Sequence, residues 1–136
     1  MFKRNITVDI NSVIGEGSYF KGNFQLAGPL RIDGRYEGEN LNVDSLTVGE
    51  TGKVKADIKV DTAVISGIVI GNIEANTRVM LMPTSRILGE IRTPELIIQN
   101  GVMLEGACIV APDTKTNPKE TILSLYNSNN SENDSF

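Results

Sequence analysis

A short apolar motif ending in a small residue returns six times along this chain. Phe20-Lys21-Gly22, Tyr36-Glu37-Gly38, Val54-Lys55-Ala56, Val69-Ile70-Gly71, Ile87-Leu88-Gly89 and Leu104-Glu105-Gly106 place their small residues 16, 18, 15, 18 and 17 apart. A period near 17 in strand-forming residues means that the chain winds, and repetition of this kind outranks any local motif in setting the fold.

Two further ladders run through the same stretch, each with the every-other-residue alternation of a strand that buries one face. The first comprises Leu30/Ile32, Leu46/Val48, Ala63/Ile65, Val79/Leu81 and Leu96/Ile98. The third comprises Phe24/Leu26, Leu41/Val43, Ile58/Val60, Ile73/Ala75, Ile91/Thr93 and Cys108/Val110. Three inward-facing strands per period describe a triangular coil, so the expected fold is all-β, a parallel β-helix or solenoid of about six three-strand windings.

The corners carry the punctuation. Asp33-Gly34 and Ser66-Gly67 predict short turns; Gly15 to Gly17, Glu50 to Gly52, Pro83 to Ser85 and Asn100-Gly101 predict longer ones. Glu39-Asn40 stands where Asn23 stands alone one coil earlier, which predicts a bulge. One coil buries too few side chains to offset the backbone entropy of ordering itself, so coils must stack. The column of small residues at 22, 38, 56, 71, 89 and 106 is expected where larger side chains would overfill a narrow interior.

Residues 1–12 and 112–136 lack the repeat. Both are expected as disordered tails flanking a β-helix domain at 13–111. The apolar cluster Ile122, Leu123, Leu125 and Tyr126 is short and reads as lacking a capping sequence, so it is expected to stay in the disordered tail instead of folding over the last coil. Both coil ends then present unpaired strand edges with thin protection. Ile14, Phe20 and Phe24 in the first coil, and Leu104, Cys108 and Ile109 in the last, are the candidate residues for end-to-end assembly with further copies of the same chain.

Several chemistries have no support. The chain has no histidine, the commonest general base and metal ligand. The acids Glu37, Asp57, Asp61, Glu74, Glu90 and Glu105 alternate with inward residues and so read as a solvated surface. Cys108 sits on an inward ladder and reads as a small core residue rather than a nucleophile. Gly15-Glu16-Gly17 lies at a corner with no following helix, unlike a phosphate loop. A net charge of −4 argues against a nucleic-acid partner. No catalytic residue, metal or cofactor is therefore expected. The competing reading is a hexapeptide-like β-helical transferase or a discrete oligomeric binding module, but the Ile14-Gly15, Val48-Gly49, Ile70-Gly71 and Leu88-Gly89 pairs fall at irregular steps. A lone cysteine favours a reducing compartment, and the start shows neither a signal peptide nor a membrane span, so a cytoplasmic location is expected.

These residues resemble the bactofilin family of polymer-forming cytoskeletal proteins. The resemblance rests on Gly28-Pro29-Leu30-Arg31-Ile32-Asp33-Gly34-Arg35-Tyr36-Glu37-Gly38, on Leu46-Thr47-Val48-Gly49 and on Gly52-Lys53-Val54-Lys55-Ala56. It implies a right-handed β-helix that assembles through its ends, without nucleotide, into non-polar filaments in which like ends meet. It also implies a short N-terminal membrane-targeting segment, here Met1, Phe2, Lys3 and Arg4, and a scaffold at the inner face of the cell membrane that organises shape or envelope proteins.

Overall fold

Side chains that alternate inward and outward along every strand can be buried only if the chain returns over itself, and it does so throughout the repeat. The computed structural model describes residues 12–113 and 115–133. Its strands are β1 (Ser12–Ile14), β2 (Tyr19–Lys21), β3 (Phe24–Ile32), β4 (Arg35–Val48), β5 (Lys53–Ile65), β6 (Ile68–Ile70), β7 (Ile73–Leu81), β8 (Arg86–Thr93), β9 (Leu96–Ile98) and β10 (Met103–Val110). All pairings are parallel, and together they form a β-helix of about six windings.

The three sequence ladders are the three faces. On the first face Leu30, Leu46, Ala63, Val79 and Leu96 stack rung on rung, with Ser12 beneath Leu30. On the second, Phe20, Tyr36, Val54, Val69, Ile87 and Leu104 align in the expected order. On the third, Phe24, Leu41, Ile58, Ile73, Ile91 and Cys108 do the same. The middle rungs form one continuous core in which Ile32, Tyr36, Leu46, Ile65, Val69, Leu81 and Ile91 are fully buried.

Three of the four longer corners are hydrogen-bonded turns, closed by Ser18 N to Gly15 O, Gly52 N to Gly49 O and Ser85 N to Met82 O. The bulge expected at Glu39-Asn40 is found one residue earlier, at Gly38-Glu39, between the paired Glu37 and Asn40. Asn23 explains how it is held, because its Oδ1 accepts from the amides of both Glu39 (3.1 Å) and Asn40 (3.2 Å). Similar devices recur at this corner, where Asp57 Oδ1 accepts from Asn72 N and Asn72 Oδ1 from Glu90 N. Two more bulges, at Ala27-Gly28 in β3 and Asn76-Thr77 in β7, escape the sequence pattern, since each extra residue falls between ladders and displaces no inward side chain.

Two expectations are corrected. The small-residue column is a corner where successive backbones touch, not a narrow interior. A Cβ on Gly89 would strike the Gly71 carbonyl oxygen and lie 2.7 Å from its carbon, and Gly89 holds φ at +146°, a region that L-residues rarely adopt. The second correction concerns the C-terminal segment, expected as disordered, in which residues Pro118–Asn133 form a helix, α1. The missed signal is Asn117-Pro118-Lys119-Glu120. Asn117 Oδ1 accepts from the amides of Lys119 and Glu120, Pro118 occupies the first helical position, and Glu120 adds an acid to the first turn. The helix does not act as a lid, because Ile122, Leu123, Leu125 and Tyr126 all stay exposed.

Candidate functional site

An inward ladder of a β-helix is covered from both sides along its middle and from one side at its ends. The first coil shows this in its partly buried side chains Ile14, Phe20, Phe24 and Leu26, which pack on the core from outside. Their neighbours one rung in, Ile32, Tyr36, Leu41 and Val43, are buried. Phe20 lies flat on Tyr36, with ring centroids 5.4 Å apart and planes 6° apart, and meets Phe24 edge-on at 5.5 Å and 79°. Tyr36 anchors this cluster from below. Its Oη lies 2.7 Å from the Gly22 carbonyl and 3.0 Å from that of Asn40, so one proton serves two acceptors, and burial raises its phenol pKa.

The last coil is more open. Ile98 is 50% exposed although Leu81, its rung partner, is 0%, and Val110 is 50% exposed above Thr93 at 1%. Leu104 is half-buried above the buried Ile87. Cys108 occupies the inward ladder as expected but is exposed, not part of the core, because among the described residues no further coil stacks on it. Enough protein surrounds its sulfur for desolvation to raise the thiol pKa. Ile109 belongs to the outward row, in register with Arg92, and so lies beside the end face and not on it. In its place the ladder contributes Ile98 and Val110. The alternation rule applied to the last rung would have found both.

Backbone pairing repeats the pattern. Among the described residues β1 pairs with β3 alone and β2 with β4 alone; β9 pairs with β7 alone and β10 with β8 alone. Each terminal coil therefore offers a free strand edge together with the apolar rung behind it. Met1, Phe2, Lys3 and Arg4 lie outside the described residues. Among the described residues no helix is long and apolar enough to cross a membrane, and no group of three or more His, Cys, Asp or Glu side chains is placed to hold a metal ion.

The arrangement defines a β-solenoid whose terminal coils, among the described residues, carry hydrophobic rungs and unpaired edges, a repeat-protein class in which neighbouring units supply each other's burial. The chain belongs to the bactofilin family, whose family model, described as polymer-forming cytoskeletal, matches residues 12–109. Among curated relatives it is 38% identical over 96 residues to bactofilin BacP of Myxococcus xanthus, covering 71% of this chain and 40% of BacP. It is 34% identical over 105 residues to bactofilin BacO of the same organism, covering 77% of this chain and 83% of BacO. The chain thus spans well under half the length of BacP and most of that of BacO. The fold is similar to that of the cytoskeletal bactofilin BacA determined by solid-state NMR, with a TM-score of 0.68 and 29% identity over 76% of this chain and 98% of that one. The family is cytoskeletal and polymer-forming, which implies self-association and a structural rather than catalytic class.

Proposed function

We propose that this protein polymerises end to end, without nucleotide, into non-polar filaments in which first coil meets first coil and last coil meets last coil. One observation carries the reading: side chains of the last rung stand half-exposed directly above rung partners that are completely covered. A second copy abutting at that rung covers those side chains and pairs the free edge, with strands antiparallel across the junction. Residues 13–111 are the assembly domain, and the segments 1–12 and 112–136 flank it.

The filaments lie against the inner face of the cell membrane and serve as a scaffold for envelope-shaping proteins. Met1, Phe2, Lys3 and Arg4 combine an apolar residue with two basic ones. Burial of Phe2 contributes about 2–3 kcal/mol and each base about 1 kcal/mol near anionic lipid, so one segment alone binds at roughly millimolar strength. Repetition along a filament makes such binding firm through avidity.

Electron microscopy of the purified protein without nucleotide tests the assembly. Long thin filaments are expected, and a compact discrete oligomer would return the protein to the binding-module class. Deleting residues 1–4 is expected to release filaments from anionic liposomes without depolymerising them; unchanged lipid binding would remove the anchor.

A further inference from the structure

The outward row of the second face changes character partway along the rod. Its first three coils carry Tyr19 and Lys21, Arg35 and Glu37, Lys53 and Lys55. Its last three carry Ile68 and Ile70, Arg86 and Leu88, Met103 and Glu105. Four large apolar side chains are consequently left on an outer surface: Ile68 (37% exposed), Ile70 (40%), Leu88 (50%) and Met103 (62%). They line a shallow groove of about 620 Å³. A strip of this kind on the outside of a solenoid is not needed to close its core and signals a docking surface.

Helix α1 carries a complementary uncovered stripe. Ile122, Leu125 and Tyr126 stand at i, i+3 and i+4 and so share one face, with Leu123 beside them, and all four are at least 49% exposed. Charge matches as well. The segment after Ala111 carries a net charge of −2, whereas Lys53, Lys55 and Arg86 border the apolar strip and outnumber its one acid, Glu105.

We infer that α1 of one copy docks its Ile122/Leu125/Tyr126 stripe along the Ile68/Ile70/Leu88/Met103 strip of a second copy. Within its own chain the segment before the helix is held on a different face, where Arg92 Nη1 donates to the Thr116 carbonyl at 3.1 Å, and the helix leaves its own strip bare. The strip occupies the half of the rod nearest the last coil, where α1 also departs. Once the Arg92–Thr116 contact is released, the seven steps from Ala111 to Pro118 span at most about 24 Å, enough to pass a last-coil junction and reach the strip of an abutting copy. This geometry rests on the end-to-end reading. The helix would act as a strap that fastens a junction already formed by the end rungs.

Site-directed cross-linking on the full chain tests it, with two differently tagged populations, Leu88→Cys and Ile122→Cys, co-expressed so that they mix before assembly; the background is Cys108→Ser, itself required to pellet as the wild type does because Cys108 lies on the end face. Oxidation of the filaments is expected to give a product containing both tags, at least tenfold above a Lys59→Cys and Ile122→Cys control pair. A Leu88→Cys/Ile122→Cys chain that cross-links within itself, without the two-tag product, would overturn docking between copies in favour of folding back. Filaments that pellet normally but yield no two-tag product would overturn the strap and leave end-to-end assembly standing, whereas absence of filaments from the wild-type chain would count against that assembly itself. A solvatochromic label on Leu88→Cys supplies a second readout. Its blue shift is expected in filaments and lost when Ile122→Asp and Leu125→Asp are added. A blue shift that survives those changes, or one that needs anionic vesicles, would give the strip to another occupant and overturn the inference.

Discussion

Ile98→Arg isolates the last-coil junction. Ile98 is half-exposed while Leu81 beneath it is fully covered, so about half of the Ile98 side chain is what an abutting copy would bury. Full burial of an isoleucine is worth about 1.5–3 kcal/mol, which makes this half about 0.8–1.5 kcal/mol. A junction of like ends uses the residue twice and loses about 1.6–3 kcal/mol, before two facing guanidinium groups add several kcal/mol of desolvation and repulsion. A total of at least about 4 kcal/mol corresponds to roughly a thousandfold weaker junction. The folded monomer should tolerate the change, since the new charge can turn into solvent at the open end. Sedimentation across a concentration series measures the effect, with circular dichroism as the check on folding. Pelleted protein should fall away at concentrations where the wild type and an outer-face control, Lys59→Glu, still assemble. A folded Ile98→Arg protein that pellets at the wild-type critical concentration would refute the end-rung reasoning.

Tyr36→Phe keeps the stack on Phe20 but leaves the Gly22 and Asn40 carbonyls without the phenol proton, so it should cost about 1–3 kcal/mol in denaturant melts; an unchanged midpoint would mean those carbonyls find other donors. Gly89→Ala places a methyl against the Gly71 carbonyl at a φ of +146°, with about 1–3 kcal/mol of backbone strain before any clash, and should lower the thermal midpoint by several degrees. An unaltered midpoint would show that the corner relaxes. Cys108, exposed at the open end with a raised thiol pKa, should alkylate slowly at neutral pH and faster as pH rises through that pKa and the thiolate forms. Assembly should suppress the labelling severalfold, and equal rates in monomer and filament would place the thiol outside the junction.

The ladders were fully legible in the sequence because burial in a parallel stack repeats: an inward residue at Tyr36 requires inward residues at Val54 and Val69, and the register follows. The same periodicity located the corners, the bulge after Glu37 to within one residue and the two candidate ends, and the motif around Gly28 to Gly38 pointed to the bactofilin family. The tertiary structure decided what depends on having a neighbour. Whether Cys108 is core or surface turns on whether a further coil covers it, which alternation alone does not show. Gly89 looked like an interior spacer until the Gly71 carbonyl was seen against it, since a contact between backbones separated by a whole winding leaves no pattern in side-chain hydrophobicity. The apolar strip from Ile68 to Met103 is likewise a tertiary property, formed only when parallel stacking brings outward residues of three successive coils side by side.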